Sequence, residues 1–181
     1  QRLWIVPSWH DAPDPAAVNL VLDPGMAFGT GSHPTTRLCL EWLERNVAEG
    51  CSVLDYGCGS GILAIAAARL GAGRVAGVDI DPQAVDAARA NAERNRVTAV
   101  FAESTLPVAA EYDLVVANIL SNPLRVLAPA ICAHVRSGGR LALSGILREQ
   151  ADEIRAIYAP WVPLEVADVR EDWVCLAGTK P

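Results

Sequence analysis

Three features are missing from this sequence: a long uncharged run of apolar residues, a CxxC pair and a cluster of lysine or arginine side chains. A membrane-spanning helix needs about 20 consecutive apolar residues, so none is predicted. Without a CxxC pair, neither a zinc site nor a disulfide framework is indicated, and no metal is expected. Without a basic patch, direct binding of nucleic acid is not expected either.

Glycine and proline are also modest in number, with 14 and 12 in 181 residues, which excludes a fibrous or low-complexity chain. Hydrophobic residues make up 51% and charged residues 20%, the usage of one ordinary globular domain. The net charge of −6 suits a basic partner, although most acidic proteins are simply soluble. The five cysteines, an odd number, favour free thiols in a reducing compartment, so a cytoplasmic location is expected.

The first residues differ in pattern from the rest of the chain. The chain begins at Gln1 without a signal-peptide pattern, and we expect it to be part of a longer protein. Pro7, Pro13 and Pro15 forbid a helix interior in the opening segment, residues 1–22, where one or two short strands are predicted instead. The glycine-rich stretch that follows, residues 23–34, is predicted to be a loop.

From residue 35 onward, helical and strand-like segments alternate. The first helix is predicted to be capped by Thr35 and to stop at Gly50. The later segments are predicted as strands 52–55, 75–79, 98–102, 114–117 and 140–143 and as helices 62–70, 82–95, 123–135 and 148–158. Apolar strands that alternate with helices are typical of a parallel sheet covered on both faces. Two further strand-like runs, 162–169 and 173–178, predict a terminal antiparallel hairpin.

The strongest local signal is the run VLDYGCGSGILAIAA, residues 53–67, in which a strand ends at Asp55 and a helix opens after three glycines. Gly57, Gly59 and Gly61 allow a sharp turn and let a ligand approach the main chain. The start of the following helix offers free N–H groups. Dinucleotides and S-adenosylmethionine both bind to such a loop, and the spacing of the glycines leaves both open.

Asp79 ends the next strand, about 20 positions further on, where a carboxylate can accept hydrogen bonds from two ribose hydroxyls of either ligand. The plain structural alternative is a tight turn with Asp79 as a helix cap. The acid Asp55 lies where a pyrophosphate would sit, and Asn118 ends the fourth strand at the ligand-binding edge of the sheet. Both residues favour the methyl donor, and the short chain leaves little room for the substrate domain of a dehydrogenase.

Read together with DPGMAFGTGSHPTT, residues 23–36, these motifs resemble the ribosomal protein L-eleven methyltransferase (PrmA) family. The resemblance covers nearly the whole chain and includes RLWIVPSW, GVDIDPQAVDAARANAERN, VVANIL and LSGIL. It implies the α/β, Rossmann-like fold of class I S-adenosylmethionine-dependent methyltransferases, with a mostly parallel sheet and an antiparallel C-terminal hairpin. It also implies methyl transfer to lysine and N-terminal amines of a basic large-subunit ribosomal protein. Membrane contact is not expected, since no long apolar run is present, and a monomer is expected.

The resemblance implies cofactor contacts by Thr36, Gly57, Asp79 and Asn118. Asp55 and Gly59 of the glycine loop are further candidates for cofactor binding. It also places Phe28, Gly29 and Thr30 in a loop that folds over the methionine end of the cofactor. Residues 23–181 are then expected to be the catalytic domain, preceded by the opening segment 1–22. The smaller N-terminal domain with which the family grips the ribosomal protein is absent from this sequence.

Methyl transfer needs an uncharged amine, whereas free lysine has a pKa of about 10.4. A dry site beside a cation disfavours the charged amine, so positioning and desolvation should supply the rate, without a dedicated acid–base pair. Asn118 is the candidate for the catalytic residue. For His33, a structural contact within its loop is preferred over a role as catalytic base. The run Asn118-Ile119-Leu120-Ser121 lacks the aromatic residue that planar acceptors need, which favours a flexible aliphatic amine.

Several alternatives stay open at this point. The acceptor could be another protein lysine or a small-molecule amine. The chain could also be a fragment of an NAD-binding oxidoreductase, or a binding module whose glycine loop is only structural. The five tryptophans could form an acceptor wall, although core packing is expected for most of them.

Overall fold

The structure is a computed structural model that describes residues 3–7, 9–14, 16–22, 33–104 and 111–181. Its strands are β1 (Leu3–Val6), β2 (Val18–Val21), β3 (Ser52–Tyr56), β4 (Arg74–Asp79), β5 (Val100–Glu103), β6 (Tyr112–Asn118), β7 (Val135–Leu147), β8 (Glu165–Arg170) and β9 (Trp173–Thr179). Its helices are α1 (Pro34–Asn46), α2 (Ile62–Arg69), α3 (Pro82–Arg94), α4 (Ser121–Ala133) and α5 (Ala151–Tyr158), the last preceded by a 3-10 turn at Arg148–Gln150.

Seven strands form the main sheet, in the order β5–β4–β3–β6–β7–β9–β8. Neighbouring strands are parallel except that β9 is antiparallel to both β7 and β8. The prediction of a mostly parallel sheet with an antiparallel C-terminal hairpin is confirmed. Since β4 and β6 flank β3 on opposite sides, the order of strands reverses beside β3, and open α/β sheets bind ligands at the carboxyl edge of such a switch point.

Helices cover both faces of this sheet. Residues of α1, α2 and α3 join one buried cluster with Val53 of β3 and Val116 of β6, whereas α4 and α5 join a second cluster with Leu54 and Val115. Side chains alternate between the two faces along a strand. Asp55, close to the end of β3, and Asn118, at the end of β6, therefore fall on the face covered by α1–α3.

The opening segment packs against the same helices. Its strands β1 and β2 pair in parallel as a second, two-stranded sheet, and Leu3, Leu20 and Leu22 are buried in the α1–α3 cluster. The N–H of Val21 donates to Asn95 Oδ1 at 2.7 Å, and Asn95 Nδ2 donates to the carbonyl oxygen of Val21 at 2.8 Å. The prediction of short strands rather than a helix is confirmed here.

The start of α1 differs from the prediction. Thr35 is not the cap: it lies inside the first turn, and the extended residue His33 is the N-cap, with its Nδ1 accepting from the N–H of Thr35 at 3.3 Å. Pro34 follows the cap, where its fixed φ fits a helix start and its missing N–H leaves no donor unsatisfied.

The strand β7 is much longer than the predicted segment 140–143. Val135 already pairs with Tyr112, and Arg140 pairs with Leu114, with a register shift between them. A bulge absorbs the extra residues because Gly138 adopts φ +72°, which glycine tolerates without strain. Among the described elements, no helix is both long and apolar enough to cross a membrane.

Candidate cofactor site

The turn after β3 is tied to β4 through main-chain hydrogen bonds. The N–H groups of Gly57 and Cys58 both donate to the carbonyl oxygen of Val78, at 2.7 and 2.9 Å. Gly57 has φ +77°, and a Cβ there would overlap the Cγ2 atom of Ile119. The turn therefore requires glycine at position 57 for its conformation and also for space.

Asp79 is held at the carboxyl edge of β4 by two main-chain donors. Its Oδ2 accepts from the N–H of Gly59 at 2.8 Å, and its Oδ1 accepts from the N–H of Asp81 at 3.0 Å. The cap of α3 is Asp81, which accepts from the N–H of Gln83 at 2.9 Å, so the alternative of Asp79 as a helix cap is wrong. Each carboxylate oxygen of Asp79 retains a lone pair for a hydroxyl donor.

Asp55 lies beneath the glycine loop and is 1% exposed. Its Oδ2 accepts from the N–H of Ala64 in α2 at 3.1 Å, whereas its buried Oδ1 has no partner among the described residues. The pKa of Asp55 is raised to about 7, chiefly by burial; the hydrogen bond from Ala64 opposes this rise, and the nearby charge of Asp79 adds to it. A cationic group beside Oδ1 would satisfy this orphaned acceptor.

Thr36 and Asn118, which the resemblance grouped in one site, are in contact. Asn118 Nδ2 donates to Thr36 Oγ1 at 3.3 Å, which joins the first turn of α1 to the end of β6. Thr36 is buried and Asn118 is half-buried. The bond fixes the amide plane of Asn118 and leaves its Oδ1 atom available at the sheet edge.

The comparisons with known proteins decide the family. The model of the family "Ribosomal protein L11 methyltransferase (PrmA)" matches residues 1–181. The chain belongs to this family. It is 87% identical, over its whole length, to a ribosomal protein L11 methyltransferase of Dechloromonas aromatica, and it covers 61% of that protein. A second such relative, from Cupriavidus metallidurans, is 66% identical and is covered to 60%, so the chain spans about three fifths of these curated relatives.

Solved structures of the family and the fold class agree with this assignment. The crystal structure of a ribosomal protein L11 methylase from Lactobacillus delbrueckii subsp. bulgaricus superposes with a TM-score of 0.91 at 35% identity, covering 99% of this chain and 95% of that one. A T. thermophilus 16S rRNA methyltransferase in complex with AdoMet and guanosine superposes with a TM-score of 0.71 at 24% identity, covering 86% of this chain and 45% of that one, which shows the fold alone. The predicted family and class I methyltransferase fold are confirmed. At the level of the family and fold, S-adenosylmethionine is also confirmed as the cofactor.

The donor set of the site fits that cofactor better than a dinucleotide. The hydrogen bonds that the structure describes for the carboxylates of Asp55 and Asp79 come from main-chain N–H groups, so both acids can still pair with a cationic or hydroxyl-bearing ligand. Two carboxylates repel a pyrophosphate, whereas they attract a ligand with a sulfonium, an ammonium group and ribose hydroxyls. The orphaned Oδ1 of Asp55 is the observation that supports an ammonium partner in particular.

Two site features were missed by the sequence interpretation. Ile80 follows Asp79 and is 78% exposed, so it offers an apolar surface beside the Asp79 carboxylate; an apolar residue directly after the strand-ending acid was the available signal. The ring of Trp173 lies 5.1 Å from that of His33 in an edge-on contact, and no local pattern predicts this pair. Phe28, Gly29 and Thr30 lie outside the described residues.

A cleft of about 450 Å³ lies away from these residues, between the opening segment and the ends of α2 and α3. It is lined by Ala16, Val18, Arg69, Gly73 and Arg96 among others, and it contains none of the predicted site residues. Since α2 begins at the glycine loop and ends at Arg69, this cleft lies at the opposite edge of the sheet. Within the described ranges, no group of three or more His, Cys, Asp or Glu residues is arranged to hold a metal ion.

Proposed function

We propose that this chain is the catalytic part of a methyltransferase that binds S-adenosylmethionine and methylates lysine and N-terminal amines of ribosomal protein L11. The observation that carries the proposal is the Asp79 carboxylate, held by the Gly59 N–H at the switch point of a chain that belongs to the PrmA family. On this proposal, residues 23–181 form the catalytic domain and residues 1–22 pack against it. The activity resides in the cytoplasm with its ribosomal substrate, and the chain acts as a monomer.

The cofactor-binding residues have distinct tasks. Asp79 accepts hydrogen bonds from the two ribose hydroxyls, and Ile80 covers the adjoining base with apolar surface. Gly57 and Gly59 let the cofactor approach the main chain, and Asp55 lies below them as the counter-ion of the ammonium group. Thr36 acts from the other side of the site through its bond with Asn118.

The bound cofactor supplies an electrophilic methyl group on a cationic sulfur. The residues of this chain then have to present a neutral amine in line with it. Asn118 Oδ1 can accept one N–H of the amine and orient the nitrogen lone pair, because Asn118 Nδ2 is already bonded to Thr36 Oγ1. Desolvation at this edge lowers the pKa of the amine, so its proton is lost to water and no side chain has to act as a base.

The acceptor side favours a flexible aliphatic amine. Leu120 follows Asn118 in the chain, is 67% exposed and has no stacking surface to offer a planar base or amide. A lysine side chain, by contrast, can lay its methylene groups on such an apolar residue. The acidic net charge of −6 also attracts a basic ribosomal protein. Another protein lysine or a small-molecule amine would meet the same chemistry and is the alternative that the experiment has to test.

Two measurements test the proposal. Calorimetric titration with S-adenosylhomocysteine and with NAD should show binding of the first alone; binding of NAD alone would overturn the proposal in favour of an oxidoreductase. Mass spectrometry of purified L11 incubated with the chain and labelled methyl donor should then show methylated lysines. Donor binding without L11 methylation, even when the preceding residues of the relatives are fused to the chain, would exclude L11 as substrate.

A further inference from the structure

Trp173 reaches the cofactor edge of the sheet because of the direction of β9. That strand is antiparallel to β7, so its first residue lies where β7 ends, and Trp173 pairs with Leu147 there. The side chain also faces the same helices as the site. Cys175 and Ala177, two and four positions on, lie in the α1–α3 cluster, and Trp173 packs against that cluster while staying partly exposed.

The first turn of α1 connects Trp173 with Asn118. His33, the cap of α1, contacts the Trp173 ring at 5.1 Å between centroids and at an interplanar angle of 69°. Three residues further along, Thr36 accepts the hydrogen bond from Asn118. The first turn of α1 therefore carries both the residue that contacts Trp173 and the residue that bonds Asn118, three positions apart and so on neighbouring parts of one helix face.

The strand between these two pairs has small residues at this level. Asn118 is in register with Ser144 of β7, which is fully buried and donates through Oγ to the carbonyl oxygen of Val174 at 3.1 Å. Gly145 follows with φ +84°, and a Cβ there would overlap the carbonyl oxygen of Ile119. No large side chain of β7 projects toward α1 here, because the next residue, Ile146, belongs to the cluster on the opposite face.

We propose that Trp173, braced by His33, is the wall of the acceptor site opposite Asn118, and that it selects an aliphatic amine by contacting its methylene stem and its methylated ammonium product. The inference rests on the proposed function and deepens it. An indole face carries negative quadrupole potential and attracts alkylammonium groups. It also excludes water without offering a proton acceptor, which favours loss of the lysine proton before reaction.

The role is one of specificity and not of proton transfer. Asn118 offers one acceptor atom to the amine, and a single amide does not enclose a side chain as long as lysine. An aromatic wall adds contact area whose attraction grows with each N-methyl group, because a larger and less hydrated cation gives up less hydration when it reaches the ring. We therefore expect Trp173 to matter more for trimethyllysine than for lysine.

The test compares Trp173→Leu with Trp173→Phe in the whole chain. With S-adenosylhomocysteine in excess, we measure by fluorescence anisotropy the affinity for labelled L11-derived peptides that carry lysine or trimethyllysine. Trp173→Leu should weaken binding of the trimethyllysine peptide about tenfold and of the lysine peptide less, whereas Trp173→Phe should stay within about threefold of the original chain. The affinity for S-adenosylhomocysteine, measured by calorimetry, should not change.

Trp161→Leu is the matched control. Trp161 is 38% exposed and follows α5, at the opposite edge of the sheet, so its loss should leave every peptide affinity unchanged. If Trp173→Leu lowers the affinity for both peptides equally, or lowers neither affinity, Trp173 is not the wall of the acceptor site. The proposed methyltransferase function would still stand in that case. Failure of the original chain to bind S-adenosylhomocysteine overturns the proposed function itself. If it binds S-adenosylhomocysteine but neither peptide, the chain has no acceptor wall of this kind.

Discussion

The half of the sheet proposed to bind the cofactor and the half proposed to bind the acceptor, called the cofactor half and the acceptor half below, are built in different ways. Around β3 and β4, the site consists of main-chain atoms and two carboxylates, and main-chain N–H groups hold Asp55 and Asp79 in place. Around β6, β7 and β9, the site consists of side chains that contact one another, such as Asn118 with Thr36. Main-chain geometry fixes the ligand that the whole fold class shares, whereas side chains can change with the acceptor.

The largest effect is expected in the cofactor half, from Gly57→Ala. The new Cβ would overlap Ile119, and alanine is strained at φ +77°. We expect the affinity for S-adenosylhomocysteine to fall by more than about 100-fold as the loop shifts, and stability to fall by about 1–3 kcal/mol from overpacking. Calorimetric titration and thermal unfolding measure the two losses.

A second glycine with positive φ provides the control for this variant. Gly50 has φ +79° but nothing within 4 Å of its ideal Cβ, so Gly50→Ala adds backbone strain without overlap. It should lower stability by about 1 kcal/mol and leave cofactor affinity unchanged. The pair Gly57→Ala with Ile119→Ala should recover part of the affinity. If Gly57→Ala alone binds S-adenosylhomocysteine as tightly as the original chain, the close approach of Gly57 to Ile119 does not determine cofactor affinity.

The second effect is expected for Asp79→Asn. The amide oxygen of asparagine can still accept the N–H of Gly59, but its NH2 group cannot accept the N–H of Asp81, and the charge-assisted bonds to two hydroxyls are lost. Hydrogen bonds to charged groups contribute about 1.5–3 kcal/mol each, so we expect S-adenosylhomocysteine affinity to fall about 100-fold. The control Asp81→Asn retains a good helix cap and should bind normally. If Asp79→Asn and Asp81→Asn bind S-adenosylhomocysteine with equal affinity, Asp79 does not bind the ribose.

The same contrast explains how much could be predicted from the sequence. Gly57, Asp79 and the order of elements were accessible because glycine conformation and strand ends are local properties. The contact of His33 with Trp173 was not, because it depends on the antiparallel return of β9 across β7. The position of Asp55 beneath the loop, with one oxygen that no described residue bonds, likewise follows from packing against α2 and not from spacing.

Asp55 should make cofactor binding depend on pH. Burial, with help from Asp79, raises its pKa to about 7, above the value of about 3.9 in an unfolded chain. The folded, cofactor-free chain therefore holds the proton between about pH 4 and pH 7 while the unfolded chain releases it. The stability that this proton contributes, roughly 3–5 kcal/mol, is full below about pH 4 and is lost as the pH rises toward 7.

Binding has the opposite dependence, because an ammonium group pairs with the charged carboxylate. Affinity for S-adenosylhomocysteine should fall about tenfold per pH unit below 7, and binding at pH 6 should release a proton that calorimetry detects in buffers of different ionisation enthalpy. Asp55→Asn should bind weakly at every pH and release no proton. A proton release that persists in Asp55→Asn would assign the titration to another group.

The smallest effect is expected for His33→Ala, in the acceptor half. The variant removes the cap of α1 and the brace of Trp173, so stability should fall by about 1 kcal/mol and the acceptor KM should rise by roughly threefold. His33 Nδ1 already contacts Thr35 Oγ1 at 2.8 Å, so kcat and its pH profile should not change. The control is His10→Ala, which replaces an exposed histidine and should leave kcat and its pH profile equally unchanged. A complete loss of turnover with intact cofactor binding would instead make His33 a base, and the acceptor half would then contain proton-transfer chemistry that its contacts give no reason to expect.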